Sequence, residues 1–129
     1  MLNIFNKVIV VCCMLLSFLC CAQNRNFTSL SPVEFEKLLK DNPDVQLVDV
    51  RRPEEFDTGH MDKVFLINVQ DSTFISKALI LLDKSKPVAV YCRSGKRSKD
   101  AARKLSQKGF VVYDLDTGYL GWKEFINTK

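Results

Sequence analysis

Short apolar runs alternate with helical patterns from residue 31 onward, and this alternation constrains the fold more than any other feature of the chain. The apolar runs cover residues 46–50, 64–69, 87–91 and 110–115. Apolar residues recur at helical spacing over residues 31–40, 72–82, 98–108 and 119–126, with at most one helical turn at 53–56. Helical patterns between short strands are typical of α/β domains. The sequence therefore predicts a mostly parallel sheet with helices on both faces.

Local signals predict where several of these helices begin and end. Ser31 precedes Pro32 and Glu34, an arrangement typical of a capping box with proline at the first helical position. Ser72 is predicted to cap the next long helix, and Gly109 is predicted to follow the end of the helix over 98–108.

The length and charge of the chain exclude several classes of protein. A chain of 129 residues has room for one domain, and 47% hydrophobic with 26% charged residues is a globular balance. The 19 basic and 15 acidic residues give a net charge of +4 and are dispersed along the chain. So weak a positive charge does not predict a nucleic-acid-binding protein.

The five cysteines are unevenly placed. Four of them lie in the first 22 residues, and Cys92 is the only one in the rest of the chain. The body of the chain therefore lacks the paired cysteines of a disulfide framework, and a cysteine-only metal site is excluded. Because His60 is the only histidine, a His/Cys zinc site would need distant carboxylates to complete it.

The first 22 residues have the character of a sorting signal. A short start carrying Lys7 is followed by a 15-residue run, 8–22, in which Ser17 is the only plainly polar residue. Spanning a bilayer core takes about 20 apolar residues, so this run has the length of a signal-peptide core. We interpret residues 1–22 as an export signal cut after Ala22, with residues 23–129 as the exported domain.

Two alternatives to a cleaved signal stay open. Acylation of Cys20 or Cys21 would make the protein a lipoprotein, although the residues before them fit the usual small-residue pattern poorly. An uncleaved segment would instead anchor the chain in a membrane. In each case the body is expected outside the cytoplasm, periplasmic or otherwise exported.

One loop carries the strongest chemical signal. The segment Cys92-Arg93-Ser94-Gly95-Lys96-Arg97-Ser98 directly follows an apolar run and precedes a helix. The functional crevice of an α/β sheet lies beyond the carboxyl ends of its strands, which is where this order places Cys92. Converging backbone N–H groups, the helix N terminus and three cations would all favour the thiolate. Gly95 gives such a loop its conformational freedom.

A structural interpretation of the same residues makes Cys92 a small buried apolar side chain and the bases a solvated helix start. Cations at a helix N terminus oppose the helix dipole, however, and a purely structural start would more often use Asp or Glu. Their position beside the only cysteine of the body favours a nucleophile that acts on an anion.

Four segments in the same order resemble the rhodanese family. They are the active-site loop at residues 91–98, the first signature at 47–61, the C-terminal signature at 115–122, and the first strand and helix at 30–35. Together the matches span residues 28–126. The resemblance implies a single rhodanese-like domain on a five-stranded, mostly parallel sheet, and a sulfurtransferase that needs no metal or organic cofactor.

In this family a cysteine takes sulfane sulfur as a persulfide and passes it to a thiophilic acceptor. Carried over by position, Cys92 is the catalytic nucleophile. The substrate-binding cradle is then formed by Arg93, Ser94, Gly95, Lys96 and Arg97, with the three bases as its charged rim. The expected donor is a small anion such as thiosulfate, and the expected acceptor is cyanide, sulfite, a small thiol or an exported thioredoxin-like protein.

The chain departs from the family pattern at two turns. Lys63-Val64 stands where a glycine is usual, and Thr117 replaces the first glycine of a Gly-Gly pair. Both positions lie outside the active-site loop, so they affect local turn geometry and leave the chemistry intact.

Two other functions are consistent with parts of the pattern. A cysteine phosphatase or arsenate reductase on the same fold needs five residues between its cysteine and its arginine, whereas Cys92 and Arg97 enclose four. The shorter loop disfavours phosphate. The second alternative is a non-enzymatic rhodanese-like binding module, although such modules often lack the cysteine that this chain has.

Three further residues are interpreted as structural. His60 is expected to order its loop through a hydrogen bond. Asp49 and Arg51 are expected to form an ion pair or loop brace, with Glu55 as a further partner.

Overall fold

The structure, a computed structural model, describes residues 26–129. The predicted export signal at residues 1–22 and its candidate acylation sites lie outside the described residues. Within residues 26–129, no helix is both long enough and apolar enough to cross a membrane.

Strands and helices alternate along the described chain, as the hydrophobic pattern predicts. The strands are β1 (Thr28–Leu30), β2 (Gln46–Asp49), β3 (Phe65–Leu66), β4 (Val88–Tyr91) and β5 (Val112–Leu115). The helices are α1 (Pro32–Asp41), α2 (Pro53–Asp57), α3 (Phe74–Leu81), α4 (Lys96–Gln107) and α5 (Gly118–Asn127).

The five strands form one sheet in the order β1-β5-β4-β2-β3, and every neighbouring pair is parallel. The predicted five-stranded α/β fold is confirmed, and the described sheet is parallel throughout. From β2 the chain moves outward to β3, and from β4 it moves outward to β5 on the other side. The winding direction therefore reverses between β2 and β4, and such switch points are where sheets of this kind bind ligands.

Successive strand residues face opposite sides of the sheet, and helices cover both sides. On one side Val90 belongs to a buried cluster that includes Phe74 of α3 and residues of α4. On the other side the next residue, Tyr91, belongs to a second cluster with Phe35 of α1. Trp122 of α5 packs edge-on against Phe35, with ring centroids 6.2 Å apart. The prediction of helices on both faces is confirmed.

Two of the three predicted capping residues are confirmed. The Ser31 hydroxyl accepts the Glu34 N–H at 3.3 Å, and the Glu34 carboxylate accepts the Ser31 N–H at 2.8 Å, which completes the capping box. Gly109 follows the C-cap Lys108 of α4 with a φ of +97°, in the left-handed region that glycine adopts without strain.

The predicted cap at Ser72 is wrong, because α3 begins one residue later and Thr73 occupies its N-cap. The Asp71 carboxylate accepts both the N–H and the hydroxyl of Thr73, at 3.0 and 2.8 Å, and this local turn delays the helix.

The predicted strand over 64–69 is reduced to the two residues of β3, since within residues 26–129 it lies at the sheet edge and pairs only with β2. Beyond it, Ile67 and Val69 still donate to the carbonyls of Asp49 and Val50, at 3.0 Å each. The chain therefore stays attached to the sheet without regular strand geometry.

Candidate active site

The candidate site lies at the switch point, where the carboxyl ends of β2 and β4 are side by side. Cys92 is the first residue after β4, and residues 92–95 lead directly into α4, which begins at Lys96. The helix therefore starts two residues before the predicted start at Ser98. The reason is Gly95, which has a left-handed φ of +101° and serves as the N-cap.

The Cys92 thiol is held by hydrogen-bond donors within the loop. The residue is 1% exposed, its Sγ accepts the Gly95 N–H at 3.1 Å, and the Ser98 hydroxyl lies 3.5 Å from the sulfur. Burial raises the pKa of this thiol. Hydrogen bonds from the Ser98 hydroxyl and from the N–H groups of Ser98, Gly95 and Ser94 lower the pKa by more, so that it lies below its ordinary value. These hydrogen bonds favour the thiolate, the nucleophilic form of cysteine.

The first two carbonyls of the loop are turned toward α5. The Tyr119 N–H donates to the Cys92 carbonyl at 2.8 Å, and the Leu120 N–H donates to the Arg93 carbonyl at 3.1 Å. In a trans peptide the C=O and N–H point in opposite directions, so these contacts direct the N–H groups of Arg93 and Ser94 away from α5. The loop thus separates its acceptors from its donors, which is the arrangement of an anion-binding nest.

Glycine is required where the loop meets the junction of β5 and α5. A Cβ on Gly95 would lie 1.9 Å from the Asp116 carbonyl oxygen, and one on Gly118 would lie 2.4 Å from the Arg93 carbonyl oxygen. Thr117, which replaces a glycine of the family pattern, has an ordinary φ of −90°. The departure at Thr117 is therefore tolerated, because the left-handed position is Gly118, with a φ of +64°.

Lys99 fastens the second half of the loop. Its Nζ donates to the Gly95 carbonyl at 3.2 Å and to the carboxylates of Asp114 and Asp116, at 3.0 and 2.9 Å. Asp114 lies within β5 and is fully buried. Because Lys99 draws the Gly95 carbonyl toward itself, the N–H of the same peptide, which belongs to Lys96, is turned the opposite way.

The three predicted rim cations have different environments. Arg97 donates two hydrogen bonds to the Glu55 carboxylate, at 2.6 and 2.8 Å. Arg93 and Lys96 are exposed, as is Ser94, and neither cation has an acidic partner among residues 26–129. In the described chain the rim therefore offers two unpaired cations, while the third is engaged by a carboxylate.

Sequence reasoning placed Ser98 in the loop and Glu55 near Arg51, but it missed the contact of Ser98 with Cys92, the pairing of Glu55 with Arg97, and Lys99 altogether. A helix that starts at residue 96 places Ser98 and Lys99 in its first turn beside the loop, and the left-handed preference of Gly95 was the signal for that start. Glu55 had no such signal with respect to Arg97, since 42 residues separate the two.

The interpretation of Asp49 and Arg51 as an ion pair agrees with the structure. Arg51 Nη2 lies 2.7 Å from the Asp49 carboxylate, and both side chains are buried. Glu55, the expected third partner, pairs with Arg97 instead. Among residues 26–129, no cluster of three His, Cys, Asp or Glu side chains is suited to a metal ion.

The loop before β3 contains His60 and the departure at Lys63. The His60 ring stacks on Phe56 with centroids 3.8 Å apart, and its Nδ1 lies 2.9 Å from the Met61 carbonyl oxygen, as expected of a residue that orders its loop. Lys63 has a φ of +52°, the left-handed region that glycine usually occupies. The turn keeps the geometry of a glycine although the glycine has been replaced.

Comparison with known proteins gives consistent matches over the described chain. Residues 31–125 match the family model of the rhodanese-like domain. Thiosulfate sulfurtransferase GlpE of Shewanella oneidensis is 39% identical over 82 residues, which are 62% of this chain and 77% of that protein.

Two further matches show the domain in different settings. A rhodanese-related protein of Thermoplasma volcanium superposes with a TM-score of 0.66 at 26% identity, over 77% of this chain and 93% of that one. The tRNA uridine(34) hydroxylase of Pelagibacter ubique is 31% identical over 109 residues, which are 84% of this chain but 36% of that protein. The matched region is thus nearly the whole of one relative and about a third of another.

Proposed function

Because this chain belongs to the rhodanese-like domain family, we propose that it is a sulfurtransferase that carries sulfane sulfur on Cys92. The observation that carries the proposal is the position of Cys92 Sγ at the start of α4, where it accepts the Gly95 N–H at 3.1 Å. Hydrogen bonding within the loop lowers the pKa of this thiol in spite of its burial. A relative named as a thiosulfate sulfurtransferase supports the same reaction class.

In the first half-reaction the Cys92 thiolate attacks the outer sulfur of thiosulfate. A bond forms between Sγ and the outer sulfur while the bond between the two sulfurs of thiosulfate breaks. Sulfite leaves with the electron pair, and the outer sulfur stays on Cys92 as a persulfide anion. Backbone N–H groups of residues 93–97 stabilise that anion within the loop.

In the second half-reaction the thiolate of an acceptor attacks the outer sulfur of the persulfide. A bond forms between the acceptor sulfur and the outer sulfur while the bond between the outer sulfur and Sγ breaks. The outer sulfur leaves on the acceptor, and Cys92 is released as a thiolate. Cyanide and sulfite accept sulfur in the same way. Both steps balance in charge and electrons, so neither a metal nor an organic cofactor enters the cycle.

The cations of the rim have two roles in this scheme. Arg93 and Lys96, exposed beside the loop, raise the local concentration of a dianionic donor. Arg97, paired with Glu55, fixes the first turn of α4 against α2 and so supports the cradle.

The site geometry supports the two alternative functions less well than it supports sulfur transfer. A phosphatase needs the arginine of its loop for the phosphate, whereas the Arg97 guanidinium is occupied by Glu55. A module that only binds a partner would not require a thiol with a lowered pKa.

We place this reaction outside the cytoplasm, on the strength of the apolar run at residues 8–22 that follows Lys7. The acceptors available there include small thiols and exported thioredoxin-like proteins.

Intact-mass measurement tests the proposal. Thiosulfate should add one sulfur atom to the protein, and cyanide should then remove it with the formation of thiocyanate. Cys92→Ser should neither gain the sulfur nor form thiocyanate. A wild-type protein that gains no sulfur from thiosulfate, or a serine variant that turns over at the wild-type rate, would contradict the proposed mechanism.

A further inference from the structure

A recess outside the cradle lies beside the Cys92 loop. This recess of about 260 Å³ is formed between α2, the loop and α5, and its lining includes Arg51, Glu55, Arg93, Tyr119 and Lys123. Only Arg93 of these residues belongs to the active-site loop. Lys123, on α5, has no role in the reaction described so far.

The charges of this recess are unbalanced. Arg51 and Glu55 are neutralised by the ion pairs described above. Arg93 and Lys123 are exposed and have no acidic partner among residues 26–129. The recess therefore presents two cations whose hydrogen-bond donors are available to an anion.

The Tyr119 ring keeps Lys123 at the recess. The Lys123 Nζ lies 5.2 Å from the centroid of that ring, and the Arg51 guanidinium carbon lies 4.6 Å from it. A cation–π contact of this kind orients an ammonium group and leaves free the N–H donors that do not face the ring. Lys123 is thus positioned and still able to donate hydrogen bonds.

The position of the recess favours an occupant longer than thiosulfate, because Cys92 is not among its lining residues. In thiosulfate the inner sulfur of the sulfonate is bonded directly to the transferred sulfur, about 2 Å away, so the charged oxygens lie only two bonds from the atom that Cys92 attacks. Cys92 is 1% exposed, and it is the next residue, Arg93, that lines the recess. The recess therefore suits a molecule whose charge is several bonds away from its sulfur, as in an organic thiol that carries a carboxylate.

We infer that the recess is an acceptor subsite, in which Arg93 and Lys123 bind the carboxylate of an anionic thiol. The inference rests on the proposed function, because it assigns the second substrate of the same cysteine. The bound thiolate attacks the outer sulfur of the Cys92 persulfide and leaves as the acceptor persulfide, while Cys92 returns as a thiolate. Lys123 is thereby a specificity residue outside the loop.

The test compares two acceptors that differ in charge, mercaptosuccinate and dithiothreitol, with thiosulfate as the donor. In a two-step transfer, kcat/KM for the acceptor reports on the second half-reaction alone. Lys123→Gln should lower the ratio of kcat/KM for mercaptosuccinate to that for dithiothreitol by about tenfold. Lys123→Arg, which keeps the charge, should retain at least half of the wild-type ratio.

Lys108→Gln is the matched control, since it also removes an exposed lysine. Lys108 caps the far end of α4, a helix of 12 residues, which places it about 18 Å from the active-site loop. A ratio in Lys123→Gln within twofold of the wild-type value overturns the inference, as does an equal fall in Lys108→Gln or in Lys123→Arg. Persulfide on the wild-type protein, detected by mass, shows in those cases that the proposed function stands. A wild-type protein that forms no persulfide overturns the proposed function itself.

Discussion

Glu55 accepts two hydrogen bonds from the Arg97 guanidinium, at 2.6 and 2.8 Å, and so joins α2 to the first turn of α4. The two side chains are 16% and 23% exposed, so water screens the pair only in part. Hydrogen bonding from Arg97 lowers the pKa of Glu55 from 4.5 to about 2. This pair is a tertiary contact that holds the first turn of the active-site helix against α2.

Glu55→Gln is expected to lower the free energy of unfolding by about 1–2 kcal/mol at pH 7. Because the pKa of Glu55 is depressed in the folded protein, the contribution of the carboxylate is complete above about pH 4.5. It is lost as the pH falls toward 2, so the difference between wild type and variant should shrink over that range. Urea denaturation at pH 7, 5, 3 and 2 measures it.

Glu54→Gln provides the control for that experiment. Glu54 lies on the same helix with its side chain 69% exposed, and its partner Arg52 is 49% exposed. Such a surface pair contributes on the order of 0.5 kcal/mol or less. An effect of Glu54→Gln as large as that of Glu55→Gln would show that general helix electrostatics, and not the Arg97 pair, is responsible.

Ser98→Ala is expected to move the pH dependence of Cys92 alkylation to higher pH. The Ser98 hydroxyl lies 3.5 Å from Sγ, and its hydrogen bond helps to lower the thiol pKa. The rate of reaction with iodoacetamide at pH 7 should therefore fall about three- to tenfold. Ser106→Ala is the matched control, because Ser106 is also buried on α4 and its hydroxyl has no hydrogen-bond partner in the described chain. If the two variants have the same pH dependence of alkylation, Ser98 does not lower the pKa of the Cys92 thiol.

Lys99→Met should lower the free energy of unfolding by about 2–3 kcal/mol, because it leaves the Asp114 carboxylate buried without its cation. The estimate is at the low end for a buried pair since Lys99 itself is 32% exposed. The double variant Lys99→Met/Asp114→Asn removes both charges and should recover part of the loss. A double variant that is less stable than the single one would show that the ion pair is not the source of the effect. Thermal or urea unfolding measures each difference.

Lys63→Gly is expected to raise the free energy of unfolding by about 0.5 kcal/mol. A non-glycine residue in the left-handed region costs about 1–2 kcal/mol, while glycine loses about 0.5–1 kcal/mol of chain entropy on folding. Because Lys63 has a φ of +52°, its replacement by glycine should relieve more strain than it costs in chain entropy. Asp62→Gly, at the neighbouring exposed position without a positive φ, should instead be destabilising. The prediction is wrong if both glycine variants unfold at lower urea concentration than the wild type.

Expression of the full chain in a bacterium tests the proposed export. The body should fractionate with the periplasm or with a membrane that faces it. N-terminal sequencing should begin near Gln23, whereas mass spectrometry would reveal a lipid if Cys20 or Cys21 is acylated. Recovery of the intact chain from the cytosol would contradict the interpretation of residues 1–22.

The sequence predicted the fold because its hydrophobic periodicity is strong and local. The buried runs around Val48 and Val90 and the capping box at Ser31 each specify their own element without help from distant residues. Boundaries were less predictable where another part of the chain decides them. The carboxylate of Asp71 delays α3, and the sheet edge shortens β3.

The active-site loop could be predicted from the sequence, whereas the residues that hold the loop in place could not. Cys92 and Gly95 can be identified as site residues from their residue types and their spacing. The roles of Glu55 and Lys99 depend on pairing partners that only the folded chain brings together, at separations of 42 and 15 residues. Lys123 falls in the same class, because no spacing along the chain relates it to Arg93.

The carbonyls of Cys92 and Arg93 are bound by α5, and that of Gly95 is bound by Lys99. These three peptide dipoles of the loop are therefore oriented before any substrate arrives, and rotating one would break a contact to a helix. In water, solvent dipoles would have to reorient around a developing persulfide anion. Under the proposed function, the peptide dipoles of the loop already have the required orientation once the protein has folded. The protein then acts toward its sulfur as a solvent whose polarisation is fixed before the reaction begins.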